Sequence, residues 1–268
     1  MDLAAKLEHA WRVSGTSLCV GLDPDIQRMP AAYAQAARPT LIFNKWIVDL
    51  VGAEVAAFKP QFAHHAAIGA EEDLVETIAY IRERAPHALV ILDAKRGDIG
   101  STAEFYAREA FERYGADVVT VNPLMGDDSV EPFLRRPDRG AAILCRTSNP
   151  DAGRFQTADV AGEPLFIAVA RRAETVWNAL GNAMLVVGAT APRELARVRE
   201  VAPSLAILVP GIGAQGGSGR EVMAAGQRAD GRGLLVSASR SILYAGDAAA
   251  IRGEVERTRA ALEGVAVS

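Results

Sequence analysis

Eight short, near-continuous apolar runs constrain this chain more than any other feature. They fall at residues 17–22, 54–58, 88–92, 117–121, 141–145, 183–187, 205–209 and 233–236. Runs of this length without in–out alternation read as strands buried on both faces, the mark of a parallel sheet covered by helices. Longer stretches with helical spacing lie between them, at 31–51, 71–84, 102–114, 164–180 and 192–201, with a short one near 129–134. Further helices open the chain at 3–13 and close it at 247–262. Eight strand–helix units in 268 residues fit a (β/α)8 barrel, which typically needs about 250 residues. A doubly wound sheet is the competing α/β fold. It is disfavoured because the chain does not split into halves and no glycine fingerprint follows the first run. The reading is therefore α/β, a single (β/α)8 barrel domain spanning 1–268.

Composition narrows the partners. The chain carries 29 basic and 33 acidic residues, a formal net charge of −4, with no basic tail or stripe. That pattern argues against nucleic acid as the main partner. Cys19 and Cys145 each sit inside an apolar run and read as buried thiols of a reducing compartment. The start, Met1-Asp2-Leu3-Ala4-Ala5-Lys6-Leu7, lacks the basic and apolar regions of a signal peptide. No apolar run reaches membrane-spanning length. A soluble, cytoplasmic protein without a membrane partner is expected.

Barrels of this kind place their chemistry at the C-terminal ends of the strands. Asp23, Lys59, Asp93, Lys95, Asp98, Asn122, Ser148, Gln215 and Arg240 all follow apolar runs closely. The densest stretch is Leu92-Asp93-Ala94-Lys95-Arg96-Gly97-Asp98-Ile99-Gly100. Strand alternation puts Asp93 and Lys95 on one face. Gly97 and Gly100 break the strand, and Ser101-Thr102-Ala103-Glu104 reads as a capping box opening a helix. Three charges at a strand end are costly unless they serve each other or a ligand. A structural ion network at the rim is the plainer alternative. After the seventh run comes Gly211-Ile212-Gly213-Ala214-Gln215-Gly216-Gly217, and after the eighth comes Ser239-Arg240. Glycine-rich backbone and an arginine at these two positions point to a phosphate site. Adjacent His64 and His65 point apart with no third ligand spaced to join them, so no metal is expected. Trp11, Trp46 and Trp177 are expected to pack the outer layer. Arg220 and Arg232 read as solvated surface residues near the phosphate loop.

Asp93-Ala94-Lys95-Arg96-Gly97-Asp98-Ile99-Gly100-Ser101-Thr102 resembles the catalytic signature of the orotidine 5′-phosphate decarboxylase family, in its Lys-Arg-Gly-Asp branch. Asp23, Lys59, Ser148, the Gln215 loop and Arg240 fall in the matching order over nearly the whole chain. The resemblance implies decarboxylation of orotidine 5′-phosphate to uridine 5′-phosphate with no metal and no organic cofactor. It sets Asp93 and Asp98 beside the scissile carboxylate, with Lys95 as proton donor and Lys59 extending the charge array toward the ribose. It implies ribose binding by Asp23, pyrimidine binding by Ser148, and phosphate binding by Gln215 and Arg240, with Thr102, Asn122, Gly216 and Ser239 completing the binding set. It further implies a homodimer with shared active sites, the turn bearing Asp98 and Thr102 reaching into the neighbour. The loops 148–162 and 211–219 are the candidates to close. What Arg96 contacts stays open. The rivals are a metal-dependent sugar-phosphate lyase or synthase sharing D-x-K-x-x-D, a Schiff-base aldolase, and a non-catalytic phosphometabolite-binding barrel.

Overall fold

The computed structural model describes residues 1–212 and 218–263. Among them, eight parallel strands close into a barrel: β1 Leu18–Leu22, β2 Ala57–Pro60, β3 Leu89–Arg96, β4 Val118–Val121, β5 Gly140–Arg146, β6 Ala183–Val187, β7 Ala206–Pro210 and β8 Leu234–Ala238. Each strand pairs with the next, and β8 closes on β1 through the register Leu18↔Val236. Full closure removes every edge from this sheet, which leaves no backbone row open to chance pairing. No helix among the described residues is long and apolar enough to cross a membrane.

Alternation along the strands separates two cores. Val20, Phe58, Val90 and Val119 point outward and meet Phe43, Ile47, Ile78 and Phe111 of the surrounding helices. Cys19, Ala57, Ile91, Ala142, Met184, Leu208 and Leu235 point into the barrel. The opening helix, Leu3–Ser14, seals the lower end by setting Leu3, Leu7, Ala10 and Trp11 against that inner cluster. Trp11 therefore plugs the barrel rather than packing the outer layer, and its indole N–H donates to the Leu234 carbonyl at 2.9 Å. Trp46 and Trp177 do lie on the outside, Trp46 stacked on Tyr33 at 4.6 Å between ring centroids and Trp177 donating to Asp127. Buried Asp117 fastens the same lower end: Lys6 reaches it at 2.9 Å and Arg82 at 2.6 Å.

Several elements depart from the sequence reading. The expected helix 31–51 is two, Ala31–Ala34 and Pro39–Val51. Pro39 has no N–H to donate and pushes Arg38 out of the helical region, so a new helix must start there. The run at 54–58 begins as a 3-10 turn, Gly52–Glu54, and becomes strand only at Ala57. The helix after β3 starts at Gly100, and its N-cap Ile99 makes no side-chain cap bond, so the capping box does not form. That helix and the one at Leu165–Arg172 both end in π turns, Glu109–Arg113 and Ala173–Trp177. A helix unmarked in the sequence reading, Gly219–Gly226, joins β7 to β8. The polar loop after β5 contains a helical turn, Gly153–Gln156, and a ribbon pairing Asp159–Val160 with Glu163–Pro164.

Gly140 begins β5 where a side chain has no room: a methyl group there would overlap the Asn182 carbonyl and the Leu3 side chain. Gly140→Ala should therefore cost about 1–3 kcal/mol, the usual range for overpacking. A urea midpoint equal to the parent's would contradict this.

Candidate active site

The inward-facing positions change character toward the C-terminal mouth. Ala57 is followed two residues on by Lys59, Ile91 by Asp93, Val118 by Thr120 and Leu235 by Ser237. All four upper residues line a cavity of about 520 Å³. Its walls are partly apolar, with Leu144, Val186, Leu208 and Ile212, and its rim carries Asp23, Lys95, Ser148, Gly211, Ser239 and Arg240.

Asp93 is the centre of this mouth. One carboxylate oxygen, Oδ2, accepts from Lys59 Nζ at 2.8 Å and from Gln61 Nε2 at 3.1 Å. The other, Oδ1, accepts from Lys95 Nζ at 2.6 Å and from Thr120 Oγ1 at 3.1 Å. Burial pushes the Asp93 carboxyl upward, but the ammonium groups of Lys59 and Lys95 outweigh it and hold the carboxyl far below its ordinary range. Lys59 is only 5% exposed. Burial works against its charge, yet Asp93 and Asp23 reverse that and raise it well above the usual lysine range. Asp23 lies 4.0 Å from Lys59 and accepts from Ser239 Oγ at 2.6 Å, while its buried Oδ1 has no hydrogen-bond partner. The row Asp23, Lys59, Asp93, Lys95 thus alternates in sign across three strands.

Asp93 and Lys95 do share a face, but a flat strand does not achieve it. The register with β4 slips between Leu92 and Arg96, and Lys95 sits at φ 46°. Arg96, whose role the sequence left open, turns away from the mouth. It pairs with Glu109 at 2.8 Å and stacks between Phe62 and Tyr106, 4.2 and 4.8 Å from the ring centroids.

Not every expected site residue lines the cavity. Ser148, Ser239 and Arg240 do. Asp98 does not: its carboxylate accepts from the Ile99 N–H at 2.8 Å. Thr102 is exposed on the helix Gly100–Arg108. Asn122 Oδ1 accepts from the Leu124 N–H at 3.1 Å, bracing its own turn outside the cavity. Gln215 and Gly216 lie outside the described residues. Arg232 belongs to the opposite end, paired with Glu8. His65 is a core residue, set between the Gln61 carbonyl and the Asn44 amide, and His64 rests on the Pro24 carbonyl. Among the described residues no three His, Cys, Asp or Glu side chains converge as a metal-holding group.

Two contributors escaped the sequence reading. Gln61 is two residues past Lys59, and Thr120 is the one polar residue in Val118-Val119-Thr120-Val121. The signal for both was strand alternation, which carries a polar side chain inward at the top of an otherwise apolar strand.

A closed parallel barrel with carboxylates and ammonium groups alternating at its carboxyl mouth defines a (β/α)8 barrel with an enzyme-type site at the strand ends. The family model described as "Orotidine 5'-phosphate decarboxylase / HUMPS family" matches residues 16–253, and the chain belongs to that family. Orotidine 5′-phosphate decarboxylase of Janthinobacterium sp. (strain Marseille) is 51% identical over 245 residues, covering 91% of this chain and 90% of the relative. That of Dechloromonas aromatica is also 51% identical, covering 98% of each. Among solved structures, Leishmania donovani OMP decarboxylase superposes with a TM-score of 0.83 at 40% identity, covering 97% of this chain and 99% of that one. Leishmania donovani UMP synthase gives 0.88 at 41% identity, and this chain spans 58% of its length.

The two thiols report on how tightly the barrel is shut. Burial pushes Cys19 up to about 12, with nearby Lys59 only partly offsetting it, and burial does the same to Cys145. At about pH 8 a thiol reagent should label neither cysteine in the folded protein and both after denaturation. The unfolded chain releases these protons near the ordinary thiol value of 9.0, whereas the folded chain keeps them to about 12. Stability should therefore fall as pH rises through that window. Prompt labelling of the native protein would show that the core is open.

Proposed function

We propose that the Asp–Lys array performs the decarboxylation by fixed charge and position, with Lys95 as the proton donor and without metal or organic cofactor. The chain is a carboxy-lyase that converts orotidine 5′-phosphate to uridine 5′-phosphate. The observation that carries the mechanism is the double grip of Lys59 and Lys95 on a single buried carboxylate. When the bond from pyrimidine carbon 6 to the carboxylate breaks, carbon dioxide leaves and the electron pair stays on the ring carbon. The Lys95 ammonium gives that carbon a proton and is recharged from solvent, to which its side chain is half exposed. Preorganised charges need no rearrangement as the carbanion forms. Asp93, facing the leaving carboxylate, opposes it in the ground state and is relieved as carbon dioxide departs.

The remaining roles follow position. Asp23, with an unpartnered carboxylate oxygen, takes ribose hydroxyls, and Lys59 spans from them to Asp93. Ser148 meets the pyrimidine edge, and Ser239 and Arg240 face the phosphate together with the Gln215–Gly216 loop. Residues 1–268 act as one catalytic domain, working in the cytoplasm, a setting in keeping with two free buried thiols.

Asp98 and Thr102 serve the neighbouring subunit of a homodimer in this reading. They sit on the same rim as Ile99, Phe105, Leu124 and Met125, which expose 58%, 65%, 67% and 54% of their surface. Large apolar side chains grouped beside functional residues suit a two-fold interface. Lys95→Ala and Asp98→Ala homodimers should each be inactive. After subunit exchange, half the dimers are mixed and each mixed dimer holds one intact site, so activity should return to roughly a quarter of wild type. Exchange confirmed by mass with no recovery would place Asp98 in its own subunit's site.

For the phosphate, a charge-assisted contact is worth roughly 1.5–3 kcal/mol, so Arg240→Ala should cut kcat/KM at least tenfold on the full nucleotide. It should matter little on a substrate without phosphate. Equal losses on both substrates would remove Arg240 from that role.

A further inference from the structure

The β3–β4 seam contains a hydroxyl that touches both the backbone and the counter-ion of Lys95. Pairing runs Leu92↔Val119 and resumes only at Arg96↔Val121, so β3 advances four residues while β4 advances two. The intervening amides lose their places in the ladder. Thr120 Oγ1 takes them instead, accepting from Ala94 N–H at 3.0 Å and from Lys95 N–H at 2.8 Å. A hydroxyl has two lone pairs and one proton. With both lone pairs occupied, the proton is directed to Asp93 Oδ1, 3.1 Å away. That same oxygen receives Lys95 Nζ at 2.6 Å. Thr120 is 2% exposed and is held by a branched side chain in a regular strand, so its hydroxyl has little freedom to re-aim. Lys95 itself is at φ 46°, a left-handed conformation that a non-glycine residue adopts only when its surroundings impose it.

We propose that Thr120 is a positioning residue for the decarboxylation: its one hydroxyl holds the left-handed turn at Lys95 and aims Asp93 at the Lys95 ammonium. The inference rests on the assignment of Lys95 as proton donor. Its reach is specific. Without the hydroxyl, two backbone amides and one carboxylate oxygen lose a partner together, and the backbone that carries Lys95 is free to relax toward ordinary strand geometry. The product nucleotide is held by groups elsewhere on the rim, so binding and turnover should separate.

The test compares Thr120→Val, which keeps the shape and removes the hydroxyl, with Thr120→Ser, which keeps the hydroxyl. Small misplacements of a reacting group cost about 100-fold, so Thr120→Val should lower kcat by about that factor while its affinity for uridine 5′-phosphate stays within about threefold. Thr120→Ser should recover kcat to within about tenfold of wild type. If Thr120→Val does not fold, Thr120→Cys, similar in size and a weak donor and acceptor, provides the same comparison. A Thr120→Val enzyme with unchanged kcat overturns the proposal. So does a parallel loss of turnover and nucleotide affinity that serine fails to rescue, since that marks a merely structural residue. Lys95→Ala is assayed alongside: if it keeps turnover, the donor assignment itself is wrong, whereas a dead Lys95→Ala beside an active Thr120→Val defeats only the role given to Thr120.

Discussion

A lysine and an aspartate face each other at the top of the barrel with almost no access to water, and the rest of the architecture has to make that tolerable. Lys59 and Asp93 are 5% and 7% exposed and 2.8 Å apart. Taking each ion out of water costs several kcal/mol, and attraction repays it only when the remaining hydrogen-bonding capacity is filled. For Asp93 it is filled by Gln61 beyond β2, Thr120 on β4 and Lys95 on its own strand, while Lys59 has Asp23 as a second counter-charge at 4.0 Å. Pairing β3 between β2 and β4 brings these residues within reach of one carboxylate, and closing β8 onto β1 adds the Ser239 hydroxyl to Asp23. The site therefore depends on strand order and closure as well as on its sequence motif.

The two ends of the barrel divide the work. At the lower end, Asp117 is also a buried carboxylate gripped by cations, yet it accepts from the Val90 backbone and from side chains that tie down the first helix and the strand bottoms. Asp117, Lys6 and Arg82 do not line the upper cavity. At the upper end the same kinds of group surround an open space of about 520 Å³. Conserving charge balance is common to both; leaving one face of the array uncovered is peculiar to the mouth.

Much of the architecture was legible in the sequence because buried parallel strands announce themselves as apolar runs, and all eight runs became strands. The rim residues Asp23, Lys59, Asp93, Lys95, Ser148 and Arg240 were legible because a barrel places whatever follows a strand at one mouth. What failed was local. Residues 31–51 look like one helix by periodicity, and only Pro39 says otherwise. The π turns at Glu109–Arg113 and Ala173–Trp177 have no compositional signature, although the first of them delivers Glu109 to Arg96. The bulge at Lys95 was invisible for a deeper reason. A left-handed lysine contradicts local preference and is imposed by Thr120 from another strand, a pairing that exists only after the sheet has formed.

The helix that stoppers the lower end has a consequence for traffic. With Leu3, Leu7 and Trp11 filling the floor, the barrel is a vessel with a single neck rather than a tube. Whatever enters to react must leave by the way it came. In the mechanism proposed above, a gas released beside Asp93 leaves by the same mouth through which the nucleotide entered, since among the described residues the floor is packed shut.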